Sequence, residues 1–129
     1  TQSERSEDVS YQQFVLQLTK KMPTTEMDLI HSAMGISGEA GEFTDAVKKH
    51  AIYGKPLDII NAKEELGDIL FYTFQAMNVM GFTFEEVINY NVNKLQKRYH
   101  KGTYSDEQAI ARADKDAEQA ELSASPNHS

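Results

Sequence analysis

The chain has no cysteine in its 129 residues, so neither a disulfide frame nor thiol chemistry is open to it, a composition that suits a reducing cytoplasm. It also lacks any apolar run near the length of a membrane span, and its opening residues, Thr1 to Asp8, lack the apolar core of a signal peptide. Cations are scarce: 13 Lys and Arg stand against 20 Asp and Glu, and the net charge of −7 would be repelled by nucleic acid and by anionic lipid, which argues against both as partners. Any phosphate-bearing ligand must then be met by local positive charge or by metal. Period-two alternation is almost absent, which argues against sheet, and no internal repeat of useful length is visible. What remains is an acidic, soluble, cytoplasmic, all-α chain whose size fits one domain around one core.

Residues 1–8 are polar and expected to be loose, and Ser10 is placed to cap a first helix with Tyr11, Phe14, Val15 and Leu18 as its apolar members. Met22-Pro23-Thr24-Thr25 ends that helix, and Thr24 or Thr25 caps a second. There Leu29, Ala33, Ile36, Ala40, Phe43, Val47 and Ala51 form a stripe at helical spacing, the expected core face. Beside it runs Asp28, Ser32, Gly35, Glu39, Glu42. Gly35, Gly38 and Gly41 each cost roughly 1 kcal/mol relative to Ala inside a helix, which either close helix packing or room for a ligand would explain. Tyr53-Gly54-Lys55-Pro56 breaks the helix, and Asp58 or Asn61 starts a third with Ile59, Ala62, Leu66, Ile69, Thr73 and Met77 inward, flanked by Asn61, Glu65, Asp68 and Tyr72. Gly81 ends it. Thr83 with Glu86 forms a capping box for a fourth helix carrying Val87, Ile88, Val92, Leu95 and Tyr99. The reading is a helical domain over residues 9–104, a bundle of four main helices, then an alanine-rich extension at 105–121 as a candidate fifth helix and a disordered tail at 122–129.

Two acidic pairs dominate the middle of the chain, Glu39-Ala-Gly-Glu42 and Glu65-Leu-Gly-Asp68. Residues three apart share a helix face, so each pair aims two carboxylates the same way. Four crowded carboxylates raise one another's pKa values and destabilise a fold unless a cation joins them. With no Cys, and no His at ligand spacing nearby, the oxygen-only set favours Mg²⁺, with Mn²⁺ able to substitute. Glu64 also stands four residues from Asp68; the inner stripe through Leu66 and Ile69 selects Glu65 instead.

The run Gly38-Glu-Ala-Gly-Glu42, then Lys48-Lys49, Tyr53-Gly54-Lys55-Pro56, Glu64-Glu65-Leu66-Gly67-Asp68 and Asn91-Val-Asn-Lys94-Leu95-Gln-Lys97-Arg98-Tyr99, resembles the MazG-type nucleoside triphosphate pyrophosphohydrolases of the all-α NTP pyrophosphatase group. The likeness covers roughly residues 11 to 104. A lone E-x-x-E is weak evidence; its combination with E-x-x-D and N-x-x-K-L-x-x-R-Y is specific. The resemblance implies Mg²⁺-dependent hydrolysis of a (deoxy)nucleoside triphosphate to the monophosphate and pyrophosphate, with Glu39, Glu42, Glu65 and Asp68 holding the metal. It implies Glu42 or Glu39 as general base and Asn91, Lys94, Arg98 and Tyr72 as substrate contacts. Lys55, in the break between helices, is a further phosphate candidate, read more readily as a solvated lysine. For the base it points to Phe14, Gln17, Met27, His31 or Met34, most of them ordinary core residues; His31 is more often structural than a base reader.

Four other readings compete with this one. A di-iron carboxylate bundle wants Glu-x-x-His pairs, and none occurs. A non-catalytic helical interaction module would use the acids and glycines for assembly alone, and a dUTPase-type relative would share the acid cluster with a narrower substrate range. A nucleic-acid grip through residues 94–101 lacks interleaved stacking aromatics. Phe71, Phe74, Met80, Phe82 and Phe84 exceed what one face can hide, so a homo-oligomer is expected, a tetramer built as a dimer of dimers.

Overall fold

Helix ends in this chain are fixed by side chains the sequence puts at the right places. The computed structural model describes residues 11–124, so the expectations for a loose start at 1–8, for the Ser10 cap and for the tail at 125–129 lie outside the described residues. Helix α1 covers residues 11–18, α2 Thr25–Ala51 and α3 Ile59–Met80; α4 (Phe84–Arg98), α5 (Asp106–Ala111) and α6 (Ala113–Ala124) follow. No strand occurs among the described residues, so the fold is all-α as expected. Thr24 caps α2 by accepting from the Met27 amide, and Asp58 caps α3 by accepting from Asn61. Gly81 closes α3 in the left-handed region at φ 75°, its own amide and that of Phe82 returning to the last carbonyls.

By contact the chain divides between Phe84 and Glu85. In the first unit α2 and α3 pack antiparallel, for as the number rises along α2 its partner on α3 falls: Ser32 meets Gln75, Gly35 meets Tyr72, and Glu39 meets Glu65. α1 is pinned to the far end of α3 by Gln12, which donates to Asn78 and to the Phe82 carbonyl and accepts from the Phe84 amide. Val15 is fully buried, and Phe74 lies edge-on to Tyr11 and stacked on Phe84.

One expectation is overturned here. The stripe read as the core face of α2 is largely outside: Ala33, Ala40, Val47 and Ala51 are exposed, as are Ile59 and Leu66 of the corresponding stripe on α3. The helices instead meet along the neighbouring stripe, Ser32, Gly35 and Glu39 against Glu65, Tyr72 and Gln75. Small and polar groups let the two backbones approach there, and a Cβ on Gly35 would overlap the Tyr72 ring. Close packing thus accounts for Gly35, whereas Gly38 and Gly41 face open space.

In the second unit Arg98 and Asp114 form a two-bond ion pair at 2.7 and 3.2 Å, tying the end of α4 to α6. Ser105 caps α5, and Arg112, at φ 50°, turns the chain into α6. α6 continues through Ala124, three residues into the stretch expected to be a disordered tail.

Candidate metal centre and nucleotide-binding residues

The α2–α3 seam carries three carboxylates at one level. Ligand oxygens of Glu39, Glu42 and Glu65 all lie within 4.8 Å of one another. Glu65 is buried, Glu39 half-buried and Glu42 exposed, so the group runs from the seam outward to solvent. Hydrogen bonding to Glu39, burial, and the nearby Glu42 carboxylate push Glu65 up to about 7 from the ordinary 4.5. One Oε2 of Glu39 and one of Glu65 are buried with no hydrogen-bond partner. A buried acceptor without a donor is costly, and two of them in a crowd of like charges fit a hard divalent cation, which needs only oxygen ligands and open positions for water.

Asp68, the fourth expected ligand, is not in that group. It is exposed one turn along α3, and its charge reaches the Tyr11 hydroxyl of α1, whose pKa is raised first by burial and then by Asp68. Tyr72, one turn further, is half-buried over Gly35 and edge-on to His31 at 5.8 Å. His31 is half-buried, with its Nδ1 3.3 Å from the Gln75 amide nitrogen.

At the opposite end of the seam, a cavity of about 330 Å³ is lined by Lys55 together with Asp45, Lys49 and Asn61. It begins one turn past Glu42 and Glu65 on their respective helices. Lys55 is held there by its backbone: its amide donates to Lys49 and its carbonyl lies 2.7 Å from His50 Nδ1. Asn91, Lys94 and Arg98 belong to α4 beyond Phe84, where Asn91 is exposed, Lys94 half-buried, and Arg98 gives two of its donors to Asp114.

The MazG nucleotide pyrophosphohydrolase domain family matches residues 31–103, more than half of the chain. This chain belongs to that family. A second likeness is to the Gene 37 protein of Mycobacterium phage L5, 36% identical over 80 residues, covering 57% of this chain and 68% of that one. No solved structure matches. Membership makes the chain a nucleotide pyrophosphohydrolase of a metal-dependent family, and the acidic cluster of this MazG domain is where such a metal fits. No helix among the described residues is long and apolar enough to cross a membrane.

Gln75 escapes the sequence reading and Ser32 enters it only as a member of the flanking stripe, although both are almost wholly buried on the same seam. A polar residue inside an apolar run gives no periodic signal of its own. The one available clue was that Ser32 shares the stripe of Glu39, and Gln75 lies three residues past Tyr72.

Proposed function

We propose that this protein hydrolyses a (deoxy)nucleoside triphosphate to its monophosphate and pyrophosphate with Mg²⁺ held by Glu39, Glu42 and Glu65. Mn²⁺ would substitute, and Asp68 would join from one turn away. The observation that carries this reading is the pair of buried, partnerless carboxylate oxygens within the three-carboxylate group. In the reaction a water oxygen bonds to phosphorus as the anhydride oxygen leaves with the other fragment, and the water's proton must be received. Glu42, the exposed member, is the group we assign to accept that proton at a carboxylate oxygen, with Glu39 behind it. The chemistry a divalent ion supplies there is neutralisation of the triphosphate charge and a pull on the phosphorus under attack.

The chain's own cations supply the remaining counter-charge. Lys55, in its cavity one turn from the acids, fits a phosphate of the substrate or of the departing pyrophosphate. Asn91 and Lys94 are further contacts by family likeness, with Arg98 after them because Asp114 already engages it. Tyr72 and His31 border the seam on the other side of the acids, where the sugar and base belong. A second copy of the chain is part of this reading, since Met34, Ile60 and Ile110 are 69%, 72% and 82% exposed and a lone chain would leave them in water. The expected assembly is a tetramer of paired dimers, working in the cytoplasm where nucleotide and Mg²⁺ coexist.

The test is direct. The full chain is incubated with Mg²⁺ and each common nucleoside triphosphate, and products are separated by ion exchange. Equal amounts of monophosphate and pyrophosphate are expected, lost in Glu65→Gln; release of orthophosphate and diphosphate, or no turnover of any nucleotide, overturns the reading.

A further inference from the structure

The second unit ends in a segment that the family match does not reach. The match stops at residue 103, whereas α5 and α6 lie between Asp106 and Ala124. This added segment is tied to α4 through two consecutive cations. Lys97 Nζ lies 3.6 Å from Glu121, and Arg98 gives Nε and Nη2 to the two oxygens of Asp114 at 2.7 and 3.2 Å. The two pairs are unlike. Lys97 and Glu121 are both exposed, and a solvated pair at that distance adds little. Asp114 has only 1% of its side chain exposed while Arg98 keeps 18%, so the carboxylate is enclosed and the guanidinium still reaches the surface.

The local chain is built to put Asp114 there. The Arg112 amide returns to the Gln108 carbonyl, and Arg112 itself takes φ 50°, a left-handed conformation disfavoured for a residue with a Cβ. α6 begins at once, and Asp114 falls in its first turn, where the helix dipole favours a carboxylate. A guanidinium carries five N–H donors in one rigid plane. Asp114 engages its Nε edge, and the Tyr99 hydroxyl also lies within its reach. The outer edge, Nη1 with the second hydrogen of Nη2, is the one the ion pair does not use, and its two hydrogens match two oxygens of a phosphate. A loose arginine loses rotamer freedom when it binds; one already clamped by a carboxylate loses less. We propose that Asp114 is a positioning residue, fixing Arg98 so that the outer edge of the guanidinium receives a phosphate of the triphosphate substrate. The inference rests on the triphosphate reading above, and it places the holder of that contact outside the segment the family shares. Removing the carboxylate leaves the charge of Arg98 but lets the side chain swing. The phosphate is gripped in ground state and transition state alike, so the loss is read in KM more than in kcat.

The experiment compares the full chain as wild type, Asp114→Asn, Arg98→Lys, their double variant and Glu121→Gln. Steady-state kinetics with Mg²⁺ and each common nucleoside triphosphate gives KM and kcat, and calorimetry gives the affinity for the non-hydrolysable α,β-imido analogues with Mg²⁺. Asp114→Asn and Arg98→Lys are each expected to raise KM and weaken analogue binding about tenfold, with kcat within about twofold. The double variant is expected to lose about as much as either single one, because the two side chains act as a unit. Glu121→Gln removes an equal charge from the same helix and is expected to leave KM within about twofold. Should Asp114→Asn not fold, Asp114→Glu, which keeps the charge and displaces the carboxylate by one methylene, decides by the same split of KM against kcat. A tie that serves stability alone would lower the unfolding midpoint of Asp114→Asn and leave KM in place. That result, a KM lowered because α6 competes with substrate for Arg98, additive losses, or an equal loss in Glu121→Gln overturns this inference while the hydrolase reading stands. Analogue affinity that follows Asp114 and Arg98 in a chain that cleaves no triphosphate does the reverse.

Discussion

Replacing Glu65 by glutamine tests how the acid cluster handles charge. Without a cation, the Glu65 carboxyl is pushed up to about 7 by its hydrogen bond to Glu39, by burial and by Glu42, against 4.5 for a free glutamate. A carboxyl raised in the folded state binds its proton more tightly there than in the unfolded chain. Its contribution to metal-free stability is thus fully present below about pH 4.5 and is lost as pH rises through about 7. Glu65→Gln imitates the protonated form. The metal-free variant should melt close to wild type at about pH 5 and above it at about pH 8. For Glu65 to act as a ligand the proton must leave, and with the group at about 7 roughly nine in ten molecules carry it at about pH 6 but only one in ten at about pH 8. Mg²⁺ affinity should therefore be about tenfold weaker at the lower pH, with close to one proton released per ion bound there and almost none at the higher. Calorimetry in two buffers of different ionisation enthalpy reads both quantities. Equal Mg²⁺ affinity at the two pH values, or no proton release, would refute the coupling between Glu65 and its neighbours.

Three further outcomes are expected. Gly35→Ala drives a methyl into the Tyr72 ring and should cost about 1–3 kcal/mol in a urea melt, whereas Gly38→Ala meets open space and should gain about 0.5–1 kcal/mol. Lys55→Ala should raise KM for the triphosphate several-fold with a smaller change in kcat, seen in steady-state pyrophosphate release. Ile60→Glu, placed on an exposed apolar position, should lower the mass measured by sedimentation toward that of one chain if that face joins copies.

The sequence was most informative where one residue type has one physical use. Thr24, Asp58 and Gly81 sit where caps are needed and do what their chemistry allows. The acid pairs were legible because helical spacing brings each pair to one face, and Glu39, Glu42 and Glu65 do converge. Asp68 followed the same rule of spacing yet falls outside the group, since spacing fixes a face but not how far the partner helix reaches along it. The larger error concerned α2 and α3 as packing surfaces. Apolar periodicity marks the face that leaves water, and it predicts the stripe through Ala33, Val47, Ile59 and Leu66 as the core face. Ala33, Val47, Ile59 and Leu66 are instead exposed in the single chain, while Ser32, Glu65 and Gln75 are enclosed. Periodicity says which side of a helix avoids solvent; it does not name the surface that covers it.

The Tyr72 ring, flush against α2 where residue 35 has no side chain, partitions the groove. On one side lie the carboxylates of Glu39, Glu42 and Glu65; on the other, the Gln75 amide and the His31 ring. The ring stands between Ser32 and Gln75 at one level and Glu39 and Glu65 at the other. Substitutions on the amide side of the ring can therefore repack without moving the backbone contact that sets the acid side.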